Sequence, residues 1–139
     1  MIEIEHLSMR AGEFELRDVS LTVPDGIYAA LMGRTGSGKT TLLEAVAGLR
    51  PIRSGAIRLA GTDVTSLKPA LRGIGYVPQD AALFATMTVA EHLSFSLDVR
   101  GAPKQLCRER TEELAALLGI EHLLHRRPAN LSGGEQQRV

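Results

Sequence analysis

The chain has 139 residues, 44% of them apolar and 23% charged, a globular composition that excludes global disorder and leaves room for one ordinary domain. Sixteen basic residues balance sixteen acidic ones, which gives no support to a nucleic acid as partner, because domains that hold that polyanion usually carry a net basic face. The single cysteine, Cys107, excludes an internal disulfide, suits a reducing compartment and, between Leu106 and Arg108 on an expected helix, reads as a packing residue.

Residues 1–23 read as antiparallel strands over 2–7 and 14–23, with a turn at Gly12 and an irregularity near Arg17 and Asp18. Ile2 and Ile4 alternate with Glu3 and Glu5, without a basic leader or a long apolar core, so the start of the chain is expected to be a strand and not a signal peptide. No run of about 18 apolar residues occurs, and no transmembrane helix is expected. Pro24, Asp25 and Gly26 turn the chain into residues 27–32, an unbroken apolar run of the kind found in a strand buried on both faces. Gly33, Gly36 and Gly38 interrupt it. From Lys39 to Ala47 the apolar residues Leu42, Leu43 and Val46 have the spacing of a helix face packed on a sheet, and Gly48 followed by Pro51 stops that helix.

Strand, glycine loop and helix stand in the order that phosphate binding requires. The loop fits GxxxxGK[ST] as Gly33, Gly38, Lys39 and Thr40, so the candidate binding residues are Gly33, Arg34, Thr35, Gly36, Ser37, Gly38, Lys39, Thr40 and Thr41. Glycines let backbone amides surround phosphate oxygens, and the helix N-terminus adds partial positive charge aimed at the same anion. Lys39 supplies a point charge for β- and γ-phosphates, and the Thr40 hydroxyl is a ligand for Mg²⁺.

Further along, residues 55–59 and 74–77 read as short strands, with a turn at Gly61, Thr62 and Asp63 between them. Residues 89–97 and 105–118 are helical by period, the second with Leu106, Leu114, Leu117 and Leu118 on or near one face and Gly119 as its stop. Arg100, Gly101, Ala102 and Pro103 connect them. His6, His92, His122 and His125 are too dispersed for a four-ligand metal set and read as surface residues. Arg108, Arg110, Arg126 and Arg127 read as solvated faces. Near the end, Ser132 followed three residues later by Glu135 is a capping box, and Gly133 and Gly134 strip side chains from the first turn of the helix it opens, which makes a second candidate anion site.

GRTGSGKT at 33–40 and LSGGEQQR at 131–138 together resemble the Walker A and signature motifs of the nucleotide-binding subunits of ATP-binding cassette (ABC) transporters. The glutamine of VPQD at 77–80, Gln79, falls where that family has its Q-loop. The resemblance implies an α/β fold with a P-loop NTPase core of the ABC type, an antiparallel β subdomain and a helical insert. It implies a division into 1–87, the β subdomain with the Walker A part of the core; 88–131, the helical subdomain; and 132–139, the start of the signature helix. Lys39 and Gln79 would be the catalytic-site residues, with Thr40 and Gln79 toward Mg²⁺. Ser132, Gly133, Gly134, Glu135 and Gln136 would contact ATP bound to a second subunit in a head-to-tail dimer. The other implied partners are transmembrane permease subunits, at the cytoplasmic face of the cell membrane, most closely those of an importer. The family stacks an aromatic on adenine; Ala11 stands at its commonest place and Phe14 three residues on, so Phe14 is the candidate, the alternative being a core residue of its strand. The alternatives are a non-hydrolysing nucleotide-binding module and a soluble ABC ATPase with no membrane partner. The family's Walker B strand, catalytic glutamate and switch histidine have no counterpart in residues 1–139. The expectation is therefore a portion of a longer protein or a truncated product that binds MgATP without useful turnover and exposes apolar edges.

Overall fold

The computed structural model describes residues 1–79 and 83–139. Asp80, the last residue of the VPQD run, lies outside the described residues. The chain divides into two compact units, Met1–Tyr76 and Val77–Val139.

The first unit is a four-stranded antiparallel sheet with one α-helix and a short 3-10 helix at Pro69–Leu71. Its strands are β1 (Ile2–Ala11), β2 (Phe14–Val23), β3 (Ser54–Leu59) and β4 (Thr62–Asp63), in the order β2-β1-β3-β4. β1 and β2 form a hairpin closed by two residues, with Ala11 opposite Phe14 and Ile2 opposite Val23. The irregularity expected near Asp18 is present as register shifts on both sides of the Leu7–Val19 pair. There His6 and Asp18 both adopt positive φ, 47° and 51°. Side chains take over the disturbed ladder: His6 N–H donates to Ser20 Oγ and Asp18 N–H to Ser8 Oγ. β4 arises where a turn was expected, because Ala60 and Gly61 alone reverse the chain and bring Leu59 opposite Thr62.

The helix, α1 (Lys39–Ala47), has the predicted bounds, but its buried residues are Leu42, Ala45, Val46 and Ala47 while Leu43 is half exposed. The buried side is the line 42, 45, 46, which packs with Leu7, Met9 and Ile57 of the sheet in one core. Leu43 is rotated off that line.

Two expected strands are not formed. Residues 27–32 and 74–77 have no ladder partner among the described strands. Tyr28, Met32 and Val77 are almost wholly exposed, at 96%, 87% and 92%. An apolar run is buried as a strand only when neighbours supply hydrogen bonds on its edges and side chains on its faces.

The second unit contains α2 (Val89–Val99), α3 (Lys104–Leu118) and the single turn α4 (Gly133–Gln136). Thr88 and Glu91 form a reciprocal capping box at the start of α2. The next amides, of Val89 and Ala90, donate to the carbonyls of Arg126 and Leu124, so the end of α2 is tied to the segment after α3. α3 stops at Gly119, as expected. Its buried face, however, is Cys107, Thr111 and Ala115, and Leu117 is 78% exposed. Positions four apart make one stripe down a helix, and the small residues occupy it because the partner helix lies close. The leucines at 106, 114 and 117 flank the stripe and remain partly or largely exposed. Val89, Ala115, Ile120, Leu123 and Leu131 form the core of this unit.

Cys107 is buried, donates weakly to the Ala102 carbonyl, and has its thiol pKa pushed up, chiefly by burial. A thiol held protonated in this way packs and does not react. His6, His122 and His125 are exposed, but His92 is half buried and structural. Its Nε2 accepts from the Phe84 N–H at 2.9 Å and its Nδ1 stands 2.7 Å from the Thr88 carbonyl, so both ring nitrogens are engaged by backbone groups.

Candidate functional site

In the first unit the glycine loop leads directly into α1. Thr35 and Gly36 make a turn in which Ser37 N–H donates to the Arg34 carbonyl at 3.1 Å. Gly38 is the N-cap of α1 at φ 88°, and no side chain caps the helix. The first amides of α1 are thereby left to whatever anion enters the loop. Gly33, Arg34, Thr35, Gly36, Ser37 and Thr40 are exposed, while Lys39 and Thr41 are half buried.

Lys39 is folded over the loop. Its Nζ donates to the Gly33 carbonyl at 2.9 Å and the Arg34 carbonyl at 2.8 Å. An ammonium has three donors, so the lysine braces the loop with two and keeps one for a ligand. A Cβ on Gly33 would stand 2.9 Å from Ser37 Oγ but at an ordinary 3.9 Å from Lys39 Cδ, so glycine there makes room for the Ser37 hydroxyl and is not required by the lysine.

Phe14, at the start of β2, packs against the loop. A Cβ on Gly38 would lie 2.6 Å from Phe14 Cε1, closer still to Cζ, and 3.1 Å from Leu16 Cδ2. Glycine at 38 therefore serves both the left-handed backbone and the seating of the aromatic ring.

At the far end of α1, Gly48 (φ 80°) closes the helix and returns its N–H to the Ala45 and Glu44 carbonyls. Beside it lies Arg72, which is 8% exposed. Its Nη1 donates to the Ala45 and Val46 carbonyls, both at 2.9 Å, its Nε to Leu67 O at 3.0 Å and its Nη2 to Thr65 O at 3.1 Å. Burial lowers the pKa of this guanidinium from its ordinary value. Arginine nevertheless stays charged in proteins, and here four carbonyl dipoles replace water around it. The sequence reading missed Arg72. Nothing local marks it, since its acceptors on α1 lie 26 and 27 residues away.

In the second unit the capping box read from Ser132 and Glu135 is formed. Ser132 N–H donates to Glu135 Oε2 at 2.6 Å, Ser132 Oγ donates to the same oxygen at 2.7 Å, and Ser132 Oγ accepts from Glu135 N–H. Gly133 and Gly134 lie in open space, so crowding does not demand glycine at either place. Gln136 turns inward and donates to the Pro128 carbonyl at 3.0 Å, a contact that anchors α4 to the preceding turn and that the sequence did not suggest. Gln79 is exposed on a bend. Among the described residues no group of three or more His, Cys, Asp or Glu could hold a metal ion, and no helix is long and apolar enough to cross a membrane.

The Glu135 carboxyl is held below its ordinary pKa, first by the Ser132 hydroxyl and then by the Ser132 amide, with Arg126 and His122 adding to the effect. A lowered folded value means that the cap contributes fully above the ordinary carboxylate range and is lost as pH falls through the lowered value. The expected result is that the Ser132 and Glu135 amide resonances move together at a pH below that of free glutamate, and that Glu135→Gln abolishes this titration. A Glu135 carboxyl titrating at or above the ordinary value would contradict the cap.

A glycine-opened helix without a side-chain cap, and a lysine bent back over its loop, define a phosphate-loop protein of the P-loop NTPase class. The chain belongs to the ABC transporter family, whose family model matches residues 16–139. It is similar to the molybdate/tungstate import ATP-binding protein WtpC of Pyrococcus horikoshii, 45% identical over 139 residues that are 100% of this chain and 40% of that protein. It is also similar to the sulfate/thiosulfate import ATP-binding protein CysA of Synechocystis, 44% identical across 99% of this chain and 39% of that protein. The chain thus spans about two fifths of the length of these relatives. Among solved structures it resembles one described as a dimeric post-hydrolysis state of the ATP-binding cassette MJ0796 bound to ADP and Pi. The TM-score is 0.87 and the identity 27%, over 99% of this chain and 66% of that one.

Proposed function

We propose that these residues form the Walker A and signature portions of an ATP-binding subunit that energises an importer. The observation that supports this most directly is the uncapped start of α1 with Lys39 held over it by two loop carbonyls. The amides of 34–41 would take the phosphate oxygens, Lys39 the β- and γ-phosphates, and Phe14 the adenine. Mg²⁺, when bound, would offset charge on the β- and γ-phosphates, and the exposed hydroxyl of Thr40 suits a hard cation that takes oxygen ligands; Gln79 is assigned to the same ion by the family resemblance alone. Ser132 to Gln136 would face the nucleotide of a second subunit, whose own signature would face this chain's loop in return. Importer relatives support transmembrane permease subunits as the further partners and the cytoplasmic face of the membrane as the location.

Calorimetric titration with MgATP, AMP and inorganic triphosphate tests this reading. The expected order is MgATP tightest, triphosphate weaker for want of a base, and AMP weakest. Absence of MgATP binding at millimolar concentration would sink it. Phe14→Ala is expected to weaken ATP by roughly 5- to 150-fold, the worth of one stacked base, while triphosphate changes little. Equal losses would assign the ring only to packing against Gly38.

A further inference from the structure

We propose that Arg72 is a positioning residue for the phosphate loop, clamping the C-terminal end of α1 so that the loop amides at its other end keep their places. α1 has nine residues, and helices shorter than about 12 residues are marginal on their own, so its geometry depends on what holds it. Its start is held by no side-chain cap, because that end is the one presented to a phosphate. One face is held by Leu42, Ala45 and Val46 against the sheet. The far end is held by Arg72, which donates to the last-turn carbonyls of Val46 and Ala45, the latter shared with the Gly48 N–H, and fastens them to the carbonyls of Thr65 and Leu67.

The planar fork of the guanidinium fits this task, and a cation at a helix C-terminus is favoured by the helix dipole. Gly48 makes the approach possible, since a Cβ there would stand 2.5 Å from Arg72 Nε and 2.9 Å from its Cζ. A rise of about 1.5 Å per residue carries a displacement at residue 46 to residue 39 over less than three turns of helix. With the last turn released, the whole short helix can fray or tilt, and the loop moves with it.

The consequence for phosphate rests on the nucleotide reading above, whereas the mechanical claim does not. Both are tested on the full 139-residue chain as wild type, Arg72→Met and Arg72→Lys. Without ligand, hydrogen exchange should show the Leu42 and Leu43 amides of the Met variant losing protection relative to β1 amides by about tenfold. The Lys variant, with fewer donors, should fall between. With ligand, calorimetry should show MgATP and inorganic triphosphate weakened by the same factor, about tenfold, because both are held through the loop. If the Met variant does not fold, the Lys variant decides by the same two measurements. Protection at Leu42 and Leu43 unchanged relative to β1, with only the melting temperature lowered, would overturn the proposal. Wild-type chain that fails to bind MgATP would overturn the nucleotide reading and leave the exchange measurement to decide on the clamp.

Discussion

Lys39→Ala is expected to weaken MgATP by about 100-fold and AMP by much less. The ammonium is already placed by two loop carbonyls, so little side-chain entropy remains to be lost when a phosphate arrives. The one charge-assisted hydrogen bond left for a phosphate oxygen is worth about 1.5–3 kcal/mol, and about 2.7 kcal/mol is a factor of 100. AMP has no β- or γ-phosphate and cannot use that contact. The same substitution removes the brace between Lys39 and the carbonyls of Gly33 and Arg34, so some loosening of the loop is expected as well. Calorimetry with both nucleotides separates the two effects: a loss confined to ATP reports the phosphate contact, whereas equal losses report collapse of the loop and would contradict the assigned role.

Gly38→Ala is expected to destabilise the first unit by about 2–3 kcal/mol and to remove measurable MgATP binding. Two independent strains act at one atom. Gly38 sits at φ 88°, where an L side chain costs roughly 1–2 kcal/mol. The new methyl would also stand inside the van der Waals radius of the Phe14 ring and close to Leu16. The ring must leave its place or the loop must move, and either change misplaces the amides at the start of α1. A double substitution, Gly38→Ala with Phe14→Ala, should recover the part due to the clash and leave the part due to φ. Thermal melts of the three variants check this; a double variant no more stable than Gly38→Ala alone would show that the ring is not the obstacle.

The legible parts of this protein were those decided within a few residues of one another. Lys39 to Ala47 was readable as a helix because glycines punctuate both ends, and the Ser132–Glu135 cap because its partners lie three residues apart. The strands β1 and β2, with the fault at Asp18, were readable from alternation and from Gly12 as a turn residue, although β1 runs on to Ala11, beyond its expected end at Leu7. The glycine loop ahead of α1 was legible for the same reason: its glycines, Lys39 and Thr40 form one contiguous motif.

Burial and pairing depend on distant partners, and there the sequence alone was insufficient. Six apolar residues at 27–32 mark a segment suited to a ladder, but no described strand pairs with it, and Tyr28 and Met32 remain exposed. The buried stripe of α3 runs through Cys107, Thr111 and Ala115 and not the leucines, because close approach of a neighbouring helix selects small side chains. Arg72 was invisible in one dimension, since a guanidinium is identified as a helix clamp only by carbonyls that the fold brings to it. Local chemistry, carried by caps, turns and glycine loops, was written in the sequence itself; which faces are covered, and what holds the short helix behind the loop, was decided by tertiary contacts whose partners lie tens of residues apart.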